Sequence, residues 1–361
     1  MATNVDKNLM TAAQREVAVV IVNFRTPALA MRSVKALAGE RATLPKMKVI
    51  VVDGGSGDGS AEELAGFARR PKFKAWVTVL ALPINGGFGW ANNQAILRLL
   101  AQPDPPEFIH LLNPDTEIEP GAVVTLLEDL ICHPRSGATG SQLLEGDGRP
   151  SCSAFRFPTL RHELARGAQT GLLERLLSIR PVAMPIEDGR REVDWVTGAS
   201  VMFRSEALRE AGLFDDGFFL YHEELELMRR LAKADWTIAH QPRSRVRHVG
   251  GAATGVHDRA EASRSLPRKP AYWYQSRRLY FLRSHGRIIA TGAAMAWLAG
   301  HGLLKARRLL GLAPNARPAA GEFADHLRHG FPRRADARGG PVPCDSPADI
   351  PPAWMSLRDG D

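Results

Sequence analysis

The sequence predicts an α/β protein built on a mostly parallel open sheet flanked by helices. Three observations predict it. Short apolar runs alternate with stretches of helical spacing through the first half of the 361 residues, the pattern of strand–helix–strand units. Three of these runs end in a polar or glycine-rich turn, at Asn23, Asp53 and Asn113. No internal repeat or long heptad pattern competes with that organisation.

The elements follow in order. Val17–Asn23 is an apolar strand closed by a turn with Pro27, and Ala28–Leu37 carries helical spacing at Met31, Val34 and Leu37. Val49–Val52 is a second buried strand, ending at Asp53 before the turn Gly54-Gly55-Ser56-Gly57-Asp58-Gly59-Ser60. Glu62–Arg69 reads as helix and Trp76–Leu80 as a third strand. The stretch NGGFGWANNQAILRLL is a glycine-rich turn entering a helix, and the strand Phe108–Leu112 follows it. After Pro120, Val123, Val124, Leu126, Leu127 and Leu130 mark another helix. Residues 146–190 form an irregular insertion with one amphipathic helix near Leu172–Leu177. VDWVTGASVMFRSEAL then gives a strand and helix, and LFDDGFFLYHEELELMRRLAKADW a loop and helix. One α/β domain is expected over 15–267, a basic helical extension over 268–312, and a Pro/Arg-rich tail of little order over 313–361.

Composition narrows the class. A hydrophobic content of 44% with 24% charged residues is that of a soluble globular chain. Cys132, Cys152 and Cys344 are few and widely spaced, as in a reducing compartment. The N-terminus has no signal-peptide pattern, so the expected location is cytoplasmic. The net charge is +8, but Arg264–Arg334 holds fourteen Lys/Arg against two acids. That segment carries +12 and the remainder −4, so basicity is local. A local basic patch beside an apolar helix fits an anionic membrane surface at least as well as a nucleic acid, and no nucleic-acid partner is expected.

Asn113-Pro114-Asp115 raises the question of function. Asx and proline chemistry explains a turn there. In an open α/β sheet, however, ligands bind outside the carboxyl ends of strands, where Asp115 and Asp53 both stand. Backbone donors of Asn85-Gly86-Gly87-Phe88-Gly89, at a helix N-terminus, suit a phosphate or an unliganded turn equally. Glu223, Glu224 and Glu226 open a helix, which complements its dipole. Their aromatic approach (Phe218, Phe219, Tyr221) equally suits one of them to general-base work. His248 is a structural histidine or part of a divalent-metal shell. A dinucleotide fold is disfavoured, because Asn23-Phe24-Arg25-Thr26-Pro27 follows the first strand where G-x-G-x-x-G is required.

Taken in order, VAVVIVNF, VIVVDGGSGDGS, NGGFGWANNQAI, LLNPDTEI and VTGASVMFRSEAL…GLFDDGFFLYHEELEL resemble the inverting glycosyltransferases of family 2, in the bacterial rhamnosyltransferase-like branch. VRHVGGAATG and SRRLYFLRSHG extend the likeness over roughly residues 17–290. The resemblance implies a GT-A fold, a Rossmann-like open sheet. It implies a nucleoside-diphosphate sugar donor and a glycan or lipid-linked acceptor in cell-surface polysaccharide or glycolipid synthesis. It implies that Asp53 contacts the nucleobase or ribose, with Asn23, Gly86, Gly87, Asn92 and Asn113 on the donor side. Asp115 would hold Mg2+ or Mn2+ against the diphosphate, with His248 as a further ligand. Trp195, Gly198 and Ala199 would lie on the acceptor side. Glu224 inherits the base position beside Glu223. The family's usual Glu-Asp pair is Glu-Glu here, and its usual Asn after the first strand is Arg25, which puts both contacts in question.

Two other classes share parts of this pattern. A nucleotidyltransferase would show a Gly-rich Arg/Lys loop after the first strand, which is missing. An inactive nucleotide-sugar-binding scaffold would not need Asp53, Asp115, Glu224 and His248 together. In Ile288–Leu304, apolar Ile288, Ile289, Met295, Trp297, Leu298, Leu303 and Leu304 are interrupted by Gly292, Gly300, His301 and Gly302. This is too short and mixed for a span. It is either a helix packed on the catalytic domain or, with Arg283, Arg287, Lys305, Arg307 and Arg308 at its flanks, an interfacial helix on the inner membrane face.

Overall fold

The first apolar run forms strand β1 (Val17–Asn23), buried almost throughout, because helices cover both faces of the sheet around it. The structure, a computed structural model, describes residues 13–248, 267–313, 316 and 318–357. Helix α1 (Pro27–Leu37), strand β2 (Lys48–Asp53), α2 (Ser60–Ala68), β3 (Val77–Ala81), α3 (Phe88–Leu100) and β4 (Phe108–Leu112) follow. These four strands pair in the order β3-β2-β1-β4, all parallel. Side chains of β1 alternate between two cores. Val17, Val19 and Ile21 pack with α1 and α2, while Ala18 and Val20 pack with α3. That period of two is the signature of a strand covered on both faces.

Beyond β4 come β5 (Thr116–Ile118), α4 (Ala122–Cys132), β6 (Ser136–Leu144), β7 (Ala154–Phe155), α5 (Leu160–Ala168) and α6 (Gly171–Leu176). Then follow β8 (Arg191–Val193), β9 (Trp195–Val196), β10 (Ser200–Arg204), α7 (Ser205–Ala211), α8 (Glu223–Lys233) and β11 (Thr237–His248). The main sheet continues as β4-β10-β6-β11-β5, with β8 also on β11. Strand β10 runs antiparallel to both neighbours, and β6 and β11 run parallel. The GT-A fold expected from the resemblance is present. Its parallel half ends at one sheet edge, where Asn23 and Asp53 are register partners.

Two expectations change. The insertion is less irregular than its sequence suggests. Helix α5 packs on the second half of α9 (Ala271–Leu309), a helix broken at Gly286, whose φ of 80° leaves the helical region. The contact is backbone to backbone. A Cβ on Gly300 would strike the Leu164 carbonyl, and one on Gly167 the Trp297 carbonyl. Only glycine permits that approach.

The tail, expected to have little order, is packed over residues 318–357. It forms α10 (Glu322–His329) and then a strap across the catalytic unit. Leu213 N–H donates to the Val342 carbonyl at 2.8 Å, Trp90 Nε1 to that of Ile350 at 2.7 Å and Trp354 Nε1 to that of Gly86 at 3.0 Å. An extended proline-rich segment leaves its carbonyls free for such bonds. Residues 249–255 of the motif VRHVGGAATG lie outside the described residues.

Candidate active site

The ends of β1 and β2 are bound together by side chains. Asn23 Nδ2 donates to Asp53 Oδ1 at 2.8 Å, and Asn23 Oδ1 accepts from the Thr26 amide. Ser56 donates to Asp53 through its hydroxyl at 2.6 Å and its amide at 3.1 Å. Asp53 is therefore aimed and buried by its own turn. Arg25, in the left-handed region at φ 57°, bonds Ser56 through its amide and Nε. The family's missing Asn is replaced by a cation clamped on the Asp53 loop. Ser56 is the residue that sequence reasoning overlooked here. Its signal was the DGGSGDGS turn itself.

Asp115 and His248 are 133 residues apart in sequence and adjacent in space. Strand pairing does this, since Thr116 on β5 is the register partner of His248 on β11. His248 Nε2 lies 3.3 Å from Asp115 Oδ1. Asp115 is buried, and its Oδ1 has no hydrogen-bond partner among the described residues. A carboxylate oxygen and an imidazole nitrogen are donors that suit a hard-to-borderline divalent cation. No group of three or more such side chains occurs among the described residues. A cation held there would complete its shell with ligand oxygens and water.

Two contacts lead from this corner to the acidic helix. The Asn113 amide donates to the Ala199 carbonyl at 2.9 Å, and the amide of Gly198 donates to Glu224. A Cβ on Gly198 would lie 3.6 Å from the Phe88 ring and 3.8 Å from Glu224. Glu224 is partly exposed and Glu223 buried. Both are preceded by consecutive left-handed residues, Tyr221 at φ 70° and His222 at φ 67°. Such strain persists only where the surroundings enforce it. They do so through Ser276 Oγ, which donates to the Leu220 carbonyl at 2.9 Å, and Phe88 N–H, which donates to that of Phe219 at 3.1 Å. Glu226 is a structural residue, paired with Arg230 at 2.9 Å.

Electrostatics separates the two carboxyls. Burial, and then the neighbouring Glu224, push Glu223 well above the usual carboxylate range. Burial raises Glu224 too, opposed by backbone N–H donors of Glu224, Leu225 and Gly198. Glu223 thus retains its proton while Glu224 ionises first. A carboxyl whose folded pKa lies above its unfolded value contributes stability at low pH, which is lost as pH rises through the folded pKa. Glu223→Gln is therefore expected to raise the melting temperature at pH 8 and leave it unchanged at pH 4. Each pKa unit relieved is worth about 1.4 kcal/mol. Equal gains at both pH values would mean that charge is not the cause.

The remaining expected residues divide. Gly86 and Gly87 are demanded by packing. A Cβ on Gly86 would enter the Trp90 ring, and one on Gly87, at φ 91°, would strike the Phe219 carbonyl. Asn92 Nδ2 bonds the Phe88 carbonyl at 2.9 Å, while its buried Oδ1 has no partner among the described residues. Trp195 is committed elsewhere. Its ring stacks on Phe155 at 4.2 Å and its Nε1 donates to Arg156. Trp354 gave no sequence signal, lying in an aperiodic tail. It touches the Gly86 carbonyl and stands edge-on to Phe219 at 4.9 Å.

An open sheet carrying acids at its carboxyl edge, beside a helix that opens on a carboxylate pair, defines the architecture of a GT-A transferase. Residues 18–181 match glycosyl transferase family 2. An N-acetylglucosaminyl-diphospho-decaprenol L-rhamnosyltransferase of Mycobacterium tuberculosis is 30% identical over 225 residues, covering 59% of this chain and 70% of the relative. The chain belongs to glycosyl transferase family 2. A poly-beta-1,6-N-acetyl-D-glucosamine synthase of Staphylococcus epidermidis is 23% identical over 55% of this chain and 42% of its own. A mannosyltransferase of Pyrobaculum calidifontis, solved with GDP-Man and Mn2+, superposes with a TM-score of 0.51 at 14% identity, over 88% of this chain and 81% of that one. That likeness is one of fold.

Proposed function

We propose that the protein is an inverting glycosyltransferase, moving a sugar from a nucleoside-diphosphate donor to an acceptor hydroxyl. The observation that carries this is the continuous path from Asp115 and His248, through Asn113, Ala199 and Gly198, to Glu224. Glu224 takes the acceptor proton as the hydroxyl attacks the anomeric carbon opposite the diphosphate. In-line attack inverts that carbon and needs no covalent intermediate. Asp115 and His248 are the residues that would hold Mg2+ or Mn2+, which supplies Lewis-acid stabilisation of the leaving diphosphate. Asp53, with Asn23 behind it, receives the nucleoside, and the Gly86–Gly87 loop and Asn92 border the diphosphate. Gly198 and Ala199 floor the acceptor side, and Trp195 supports it from behind. Similarity to the mycobacterial relative favours rhamnose as donor sugar and a lipid-linked acceptor. A panel of nucleotide-sugars assayed for metal-dependent turnover tests the proposal. No donor hydrolysis would leave a scaffold, and pyrophosphate release would indicate a nucleotidyltransferase.

We also propose that the protein works peripherally on the inner membrane face. Among the described residues no helix is long and apolar enough to cross a membrane. Trp297 and Leu304, counted above toward an interfacial face, are buried, and Arg283 is bound to Asp215 at 2.7 Å. The outward row of α9 is nonetheless apolar. Ile288 is 86% exposed and Leu309 89%, with Met295 and Leu303 between them. Leu172 and Leu176 extend the apolar surface on α6, at the end of α9 where Arg307 bonds the Ala168 carbonyl. Lys305 and Arg308 supply charge at the rim. Ile288→Ser/Leu309→Ser is expected to abolish flotation with anionic liposomes, while neutral liposomes recover little wild-type protein. Equal recovery of wild type with both would remove the electrostatic part.

A further inference from the structure

Around His222, the residue before the carboxylate pair, lies a charged and aromatic group for which the chemistry above has no use. The ring of His222, the residue before Glu223, is 5.9 Å from that of Trp273 in the first turn of α9. The Lys269 ammonium lies 3.9 Å over the same indole, and the Arg166 guanidinium of α5 lies 5.2 Å over it. Their side chains are 31% and 28% exposed, so solvent reaches both. Two cations thus converge on one ring.

Their countercharges fall short. Arg166 pairs with Glu163 at 3.1 Å and Glu322 at 3.2 Å, and Lys269 shares Glu322 at 3.6 Å. Buried Arg277 also draws on Glu163. Among the described residues three cations share two carboxylates, which leaves one positive charge over. Donors are left over as well. Arg166 Nη2 and Arg277 Nε are buried without a hydrogen-bond partner among the described residues. Burial and then Arg166 hold the Lys269 pKa below its ordinary value, as expected of cations crowded without enough anion. Unpaired buried donors are costly to keep. An oxyanion would satisfy both the charge and the donors.

We propose that Arg166, Lys269 and Trp273 form an anion site against His222, at the start of the helix that carries Glu223 and Glu224, and that it takes a phosphate or diphosphate carried by the acceptor. This rests on the glycosyltransferase reading. The donor diphosphate already has its corner at Asp115 and His248, so a second phosphate-type site, at the start of the helix that carries the base, belongs to the other substrate. Trp273 gives the bound group one apolar wall. The two cations give it charge-assisted hydrogen bonds.

Inorganic pyrophosphate titrated into the full chain in EDTA tests the site without any transfer reaction. One saturable event is expected, weakened tenfold or more in Lys269→Gln and in Arg166→Lys, and unchanged in Asp115→Asn. Melting curves verify that each variant is folded. Binding that is absent from the wild type, or equal in wild type and Lys269→Gln, overturns the proposal. So does loss in Asp115→Asn alone, which would place the anion at the donor corner. In turnover, Lys269→Gln is expected to raise KM tenfold for a phosphate-bearing acceptor and leave it unchanged for a phosphate-free analogue. Equal shifts for both acceptors would assign the site to free phosphate and sink the acceptor role. A pyrophosphate site that persists without donor turnover would instead sink the glycosyltransferase reading.

Discussion

Glu224→Gln is expected to bind nucleotide-sugar as the wild type does and to lose transfer by roughly 10²–10⁴-fold, the usual contribution of a general base. The amide keeps the shape of the carboxylate and can still accept the Gly198 N–H. What it loses is the capacity to take a proton, which matters only as the acceptor attacks. An interaction of that kind appears in kcat and kcat/KM together and leaves donor affinity alone. The wild-type rate should also rise with pH through a carboxyl pKa above the ordinary range, because burial raises Glu224 and the ionised form is the active one. That acid limb should vanish from the residual rate of the variant. Glu223→Gln is the control. It removes a group that is still protonated when Glu224 ionises, so the limb should keep its position and transfer should persist. An inactive Glu223→Gln beside a normal Glu224→Gln would exchange the two roles.

Half of the fold was legible because its strands are simple. β1, β2 and β4 are covered on both faces, so they read as short apolar runs between turns. β11 is covered too, but with polar side chains. His240 bonds Ser153 at 3.1 Å, Gln241 bonds Asp129 at 3.1 Å, and Ser244 bonds Ser141 at 2.8 Å. Counting apolar residues passes over a strand whose interior is satisfied by hydrogen bonds. Helix α5 was hidden for a different reason. It buries Ala165, Gly167 and Ala168 against Gly300, so close approach of small residues replaces the usual apolar stripe. The strap over residues 339–354 has no periodicity, because its contacts are scattered ones: backbone bonds, the Arg98–Asp349 ion pair, Asp216 and Gln94 side chains, and two tryptophans.

The candidate site was legible as a set of members and not as an arrangement. Ordered motifs nominated Asp53, Asp115, Glu224 and His248. Adjacency came from pairing registers, as when Thr116 meets His248 across β5 and β11. The division between Glu223 and Glu224 came from burial, which no motif encodes. Trp195, expected on the acceptor side, has a ring held by packing, through stacking on Phe155 and a bond to the Arg156 carbonyl that no motif encodes.

Asp115→Ala is expected to abolish metal-dependent donor binding and to lower transfer by roughly 10³-fold or more, since Lewis-acid stabilisation is worth several kcal/mol. Stability should move the other way. A turn aspartate that holds its loop would have its oxygens bonded to backbone N–H groups, and removing it would cost about 1 kcal/mol or more. Asp115 Oδ1 instead lies buried without a hydrogen-bond partner among the described residues, with only the His248 imidazole 3.3 Å away. Relief of an unsatisfied buried carboxylate should keep the melting temperature of Asp115→Ala at or above that of the wild type. His248→Ala, which leaves the carboxylate in place, should retain a metal response shifted to higher concentration. Calorimetric titration of Mn2+ in the presence of a nucleoside diphosphate reads binding apart from turnover. A protein that melts lower yet titrates and turns over as the wild type does would make Asp115 a turn residue and move the diphosphate site elsewhere.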